Sequence, residues 1–341
     1  MGLELVLHIG QTKAGSTSIQ KSLRGAADGL EAQGAFYLGL MCEHAGGQKR
    51  PWQRPEGWPQ LAALGTAKAA EELAEVAVRS IEELRDRGLT RVIWSNETFL
   101  GNDEIVLPAV QRLTEGGVAL RVLVYLRRPD AWAQSAYLQW GIKHKDYAGP
   151  VRPFREWIAG RHKSVGRNLE PWLGLERIDV LVRNYDACGD VVEDFLAVCG
   201  LDPAGIEPVR SNESPNPVAL ALWALHNAQI DDPVLPIELE PHLKRSGVLE
   251  REPRQADLGA LLWNDEDIAR VWDESRADRR RLNKLLRAAG QPEISDERSP
   301  ARRVEVTQGQ INAALLALIK SQADQIQVLR RQVNRLRREA E

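Results

Sequence analysis

Leu3-Glu4-Leu5-Val6-Leu7-His8-Ile9-Gly10-Gln11-Thr12-Lys13-Ala14-Gly15-Ser16-Thr17-Ser18-Ile19-Gln20 is the stretch on which the fold turns. Leu3–Ile9 is a short apolar run stopped by a glycine, the pattern of a buried strand. Ser16–Leu30 places Ile19 and Leu23 on one face and predicts a helix. Strand, small-residue turn and helix together are the repeating unit of an α/β protein built on a parallel sheet. The turn also carries chemistry. A helix N-terminus offers unbonded N–H groups and a partial positive charge. Gly15 lets backbone approach an oxyanion, Ser16, Thr17 and Ser18 donate hydroxyls, and Lys13 adds a point charge. These residues predict an anion cradle; a capped helix start that binds nothing is the plainer alternative.

Outward from this unit the pattern repeats. Ala35–Leu40, Arg91–Trp94, Val118–Leu126 and Ile178–Val182 read as strands. Thr66–Arg87 reads as an amphipathic helix with Leu73, Ala77, Ile81 and Leu84 on one face and Gly88 at its C-terminal stop. Asp130–Trp140 and Val191–Cys199 read as further helices. Apolar strands alternating with helices predict a parallel sheet covered on both faces. Met41–Gln60 breaks the pattern and reads as a long loop. Its Trp52 and Trp58 suit sugar stacking, and Lys49, Arg50 and Arg54 suit an acidic glycan; a plain surface loop is the other reading. From Asn212 onward the chain reads as helical with Pro-rich breaks. Leu315, Ile319, Gln322, Ile326, Leu329, Val333 and Leu336 keep a heptad register that favours a parallel two-stranded coiled coil; a single amphipathic helix packed on the body is the other reading. One domain is therefore expected over residues 1–300, with its core at about 1–215 and a helical region at about 216–300, followed by a coiled-coil tail at 301–341.

Composition bounds the function. The 341 residues carry 45 Lys+Arg and 48 Asp+Glu, a formal charge of −3, which argues against a nucleic-acid partner held by bulk positive charge. Cys42, Cys188 and Cys199 show no CxxC spacing, so neither a zinc site nor a disulfide framework is expected. No metal is expected at all. A reducing, cytoplasmic setting follows. No run of 18 apolar residues suggests a transmembrane helix. No signal peptide is read at the start, and Val6 stands where a myristoylation signal has Ser or Thr.

The turn is not a Walker A loop, which places lysine directly after its second glycine. Here Ser16 follows Gly15, and Lys13 precedes it by two. Lys13-Ala14-Gly15-Ser16-Thr17-Ser18 resembles instead the 5′-phosphosulfate-binding loop of the PAPS-dependent sulfotransferases (PAPS is 3′-phosphoadenosine 5′-phosphosulfate), and Ile19-Gln20 is similar to the bacterial carbohydrate type. A second motif agrees. Arg127-Arg128-Pro129 follows a strand, with Ser135 eight residues beyond Arg127; in the family this pair holds the 3′-phosphate. The resemblance covers roughly residues 3–215. It extends weakly to Asn212-Glu213-Ser214 and to Lys244-Arg245-Ser246-Gly247.

The resemblance implies a P-loop-like fold and sulfuryl transfer from PAPS to a hydroxyl of a glycan or glycolipid. It implies that Lys13 is catalytic and that Lys13, Gly15, Ser16, Thr17, Ser18, Arg127 and Ser135 bind PAPS and its product PAP. Glu97, in Ser95-Asn96-Glu97 just past a strand, matches the position of a catalytic glutamate and is the candidate base. His44 and His144 are rival bases, while His8 reads as a core side chain. Two other functions stay open: a P-loop nucleotide kinase, and a non-catalytic scaffold that dimerises through the tail.

Overall fold

The computed structural model describes residues 2–161, 164–176, 178–209, 217–228, 230–234, 258–300 and 304–312, and scattered positions from 314 to 335. The chain divides into two units. The first comprises residues 1–133, 162–213 and 269–299, and the second residues 134–161, 214–268 and 300–341.

The first unit is α/β. Its strands are β1 (Glu4–His8), β2 (Ala35–Tyr37), β3 (Arg91–Ser95), β4 (Ala119–Leu126) and β5 (Asp179–Asn184), in the order β2-β3-β1-β4-β5. All pairings are parallel. Leu5 lies opposite Val92 and Leu120, and Leu7 opposite Trp94 and Val122. Successive side chains of a strand face opposite ways, so each strand feeds two cores. Leu5, Leu7, Trp94, Val122 and Val124 face a core shared with helices Thr66–Asp86, Asp103–Glu115, Val165–Leu173 and Arg276–Ala288. Val6, Ile93, Leu123 and Tyr125 face the other core, closed by helices α1 (Ser16–Gly25) and Val191–Val198. Burying each such side chain contributes about 1.5–3 kcal/mol.

The expected strands and the helices at 66–87 and 191–199 are present within a few residues. The helix expected over Ser16–Leu30 is two: α1 ends at Gly25, and Ala27–Glu31 follows after Ala26 leaves helical geometry at φ −117. Gly25 weakens the helix interior there. Residues 41–60 are mostly irregular, but they do not offer Trp52 outward. Trp52 is buried, and its Nε1 donates to Glu72 Oε2 at 2.9 Å. Trp58 packs at 5.9 Å on the Phe99 ring. Lys49 Nζ donates to the Glu43 carbonyl, and Arg50 pairs with Glu75. The sugar-stacking expectation for Trp52 is thus corrected: its indole is needed to pin this segment to helix Thr66–Asp86.

In the second unit, the helix expected to Trp140 stops at Ala136 and continues as a π-helix over Tyr137–Lys143. Gly141 accommodates the wider turn, since a Cβ there would stand 2.3 Å from the Tyr137 ring. Tyr137 anchors an aromatic cluster with Phe154, Trp157 and Trp263 in edge contacts of 5.4–6.2 Å. Its Oη lies 2.7 Å from the Arg152 carbonyl and 2.6 Å from that of Leu261. The described positions between 308 and 335 are helical, and Leu315, Leu329 and Val333 are 39%, 58% and 47% exposed. Ile319, Ile326 and Leu336 of the heptad lie outside the described residues, as do Asn212-Glu213-Ser214 and Lys244-Arg245-Ser246-Gly247. Among the described residues, no helix is long and apolar enough to cross a membrane.

Candidate functional site

The loop after β1 leaves the sheet at its carboxyl edge, where the crossover from β1 to β2 and the later one to β4 depart to opposite sides. Such a switch point is where open parallel sheets bind ligands. Gly10, Lys13 and Gly15 have φ of 30, 65 and 88 degrees. Lysine rarely adopts that region, so the loop holds Lys13 against its own preference. Ala14 N–H donates to the Gln11 carbonyl and closes the turn. Gly15 is the N-cap of α1, and its carbonyl accepts from Ser18 and Ile19. A side chain at Gly15 would strike Val191 Cγ1 at 2.7 Å and Tyr185 Cε2 at 3.0 Å.

Arg127, just past β4, is bonded to this loop. Its N–H donates to Gln11 Oε1 at 2.8 Å, and its Nη1 donates to the Lys13 carbonyl at 2.6 Å. The guanidinium lies 5.3 Å from the Tyr185 ring centroid, and its Nε is buried without a partner. Trp132 Nε1 reaches Thr12 Oγ1 at 3.3 Å. Two more buried polar atoms lack partners: Ser16 Oγ and His8 Nε2. Both border the space left by the missing side chain of Gly10, whose Cβ would stand 2.8 and 3.1 Å from them. The backbone at Gly10 thus lies close against two unpaired polar atoms, and a side chain there would clash with Ser16 Oγ.

Glu97 arrives from β3. Asn96 N–H donates to the His8 carbonyl and extends the β1–β3 pairing by one residue. The Asn96 side chain accepts from Thr98 N–H and donates to the Leu40 carbonyl, which shapes the turn. Glu97 is half-buried, and its Oε2 accepts from Gln20 Nε2 at 2.7 Å. A cavity of about 750 Å³ opens here, lined by Gly10, Gln11, Thr12, Glu97, Arg127 and Trp132. Residues of helices Val165–Leu173 and Arg276–Ala288 complete its wall.

Of the expected site residues, Glu97 and Arg127 therefore border one cavity with the first residues of the loop. Lys13 and Gly15 to Ser18 follow directly in the loop and the first turn of α1, outside the lining; Ser16 and Ser18 are buried and Thr17 is exposed. Ser135 is half-buried on the last turn of helix Pro129–Ala136, in the second unit, and does not line the cavity. His44 is exposed, with Nδ1 3.0 Å from the Tyr37 carbonyl, and His144 belongs to the second unit; neither lines the cavity. His8 is buried, and desolvation pushes its pKa down to about 3, so its ring is neutral at ordinary pH. Burial also raises the thiols of Cys42, Cys188 and Cys199, to about 11 for Cys188 and about 12 for Cys199. Thiolate chemistry is disfavoured at all of them.

Gln20 was missed as a site residue. It was visible only as part of the wording Ile19-Gln20, and its contact with Glu97 spans 77 positions. Asn168, Asp278 and Arg281 were missed too, because nothing local distinguishes them from solvated helix faces. No protein-family model matches this chain, and no curated protein matches it either.

Proposed function

We propose that this chain is a sulfotransferase that moves the sulfuryl group of PAPS to a hydroxyl of a glycan or glycolipid. The observation that supports the reading is the meeting of three features at one sheet edge: the loop after β1, whose residues 10–12 line the cavity, the Arg127 guanidinium bonded to the loop at the Lys13 carbonyl, and Glu97 on the same cavity. The unpaired Ser16 Oγ at the start of α1 supports a phosphosulfate as its partner. In the transfer, the bond between sulfur and the 5′-phosphate oxygen breaks and a bond from sulfur to the acceptor oxygen forms. Lys13 neutralises charge on the departing phosphate, and Glu97 takes the acceptor's proton. Arg127 holds the 3′-phosphate, no metal takes part, and the P-loop-like core works in the cytoplasm.

Calorimetry with PAP, 5′-AMP and ATP tests this. A charge-assisted contact to the 3′-phosphate contributes on the order of 1.5–3 kcal/mol, so PAP should bind about 10–150 times tighter than 5′-AMP. Equal affinities would remove the assignment. Mg²⁺-dependent binding of ATP in preference to PAP would favour the kinase reading, and binding of neither nucleotide the scaffold.

The exposed Leu315, Leu329 and Val333 support a homodimer formed through the tail. Truncation near Pro300 should turn a dimer into a monomer that still binds PAP. Sedimentation of both forms reads the outcome, and a full-length monomer at micromolar concentration would overturn the dimer.

A further inference from the structure

We propose that Gln20 is a positioning residue that holds the Glu97 carboxylate in register with the anion loop, with Ser95 and His8 holding Gln20 in turn. This rests on the sulfotransferase reading for its kinetics but not for its geometry.

Gln20 lies one turn beyond Ser16 on α1, so the two side chains share a helix face. It is 6% exposed. Its Nε2 donates to Glu97 Oε2 at 2.7 Å and lies 3.4 Å from both the carbonyl and the Oγ of Ser95. A carboxylate and a carbonyl only accept, so the two amide protons of Gln20 match what surrounds them and the amide oxygen does not. Ser95 Oγ in turn lies 2.8 Å from His8 Nδ1. The other nitrogen of that ring borders Gly10 and Ser16. A polar chain therefore runs beneath the loop from His8 through Ser95 and Gln20 to Glu97. It is assembled from β1, β3 and α1.

The consequence is geometric. One helix supplies the hydroxyls of the donor loop and, four residues later, the clamp on the base. Any shift of α1 carries both together, so donor and proton acceptor keep their separation. A half-buried carboxylate without this clamp would be free to rotate toward solvent.

Gln20→Met keeps the length and removes both donors. Its crystal structure should show the Glu97 carboxylate displaced, with the backbone of residues 10–20 unchanged. PAPS turnover, followed as PAP release with a pool of methyl glycosides as acceptors, should fall about 10²-fold in kcat, since a misplacement near 1 Å costs that much. The KM for PAPS and the affinity for PAP should stay within about twofold. Ser95→Ala should give a smaller loss of the same kind, because the Ser95 carbonyl remains. Should Gln20→Met fail to fold, Gln20→Asn, one methylene too short to reach, takes its place. An ordered, unmoved Glu97 or an unchanged kcat overturns the proposal. Wild-type protein that binds no PAP would instead overturn the sulfotransferase reading, while the position of Glu97 in the variant crystal still decides the clamp.

Discussion

Glu97→Gln should lower turnover by roughly 10²–10⁴ while leaving PAP affinity nearly unchanged, because under the proposed mechanism it removes the general base and little else. The glutamine oxygen still accepts from Gln20, so the side chain keeps its place at the cavity wall. Single-turnover kinetics separate the chemical step from binding, and calorimetry reports PAP affinity independently. A fully active variant would move the base elsewhere. His44 and His144 would then have to act from outside the cavity, which makes Glu97 the stronger assignment.

The second large effect belongs to Lys13. Under the proposed mechanism Lys13→Ala should cut kcat by about 10²–10³, the cost of removing one group aimed at charge that grows in the transition state. PAP binding should weaken less, because that charge is not fully developed in the ground state. The backbone carbonyl that accepts from Arg127 survives the substitution, so the loop keeps its main tie to β4. Comparing kcat with PAP affinity in the variant reads the split. Activity within about twofold of wild type would remove Lys13 from the reaction.

The sheet was legible because each long strand carries an apolar run at its centre. Val122, Leu123, Val124, Tyr125 and Leu126 are each fully buried, and a strand buried on both faces has no alternation to misread. The loop was legible because its chemistry is local, packed into residues 10–18. What escaped was long-range or masked by local conflict. Helix Asp103–Glu115 carries Pro108 and helix Val165–Leu173 carries Pro171, so each looks like a break rather than an element. Trp52 looked like a ligand platform because its partner, Glu72, lies on a helix that no local pattern ties to it. The clamp on Glu97 joins side chains 77 positions apart, and nothing at either end announces the other.

The position of β1 has a consequence for how the chain is made. It is the first strand in sequence and the middle strand in space, with Leu5, Val6 and Leu7 wholly buried. Its two neighbours, β3 and β4, begin at Arg91 and Ala119. A chain growing from its N-terminus therefore synthesises more than eighty further residues before either edge of β1 gains a partner. Until then an apolar strand with open hydrogen-bonding edges is exposed, a template for association with other chains. Because β4 also delivers Arg127, the step that closes the second edge is the one that ties this arginine to the loop after β1. Cover for the second edge of β1 and the tie of Arg127 to the loop are acquired together, after little more than a third of the 341 residues has been made.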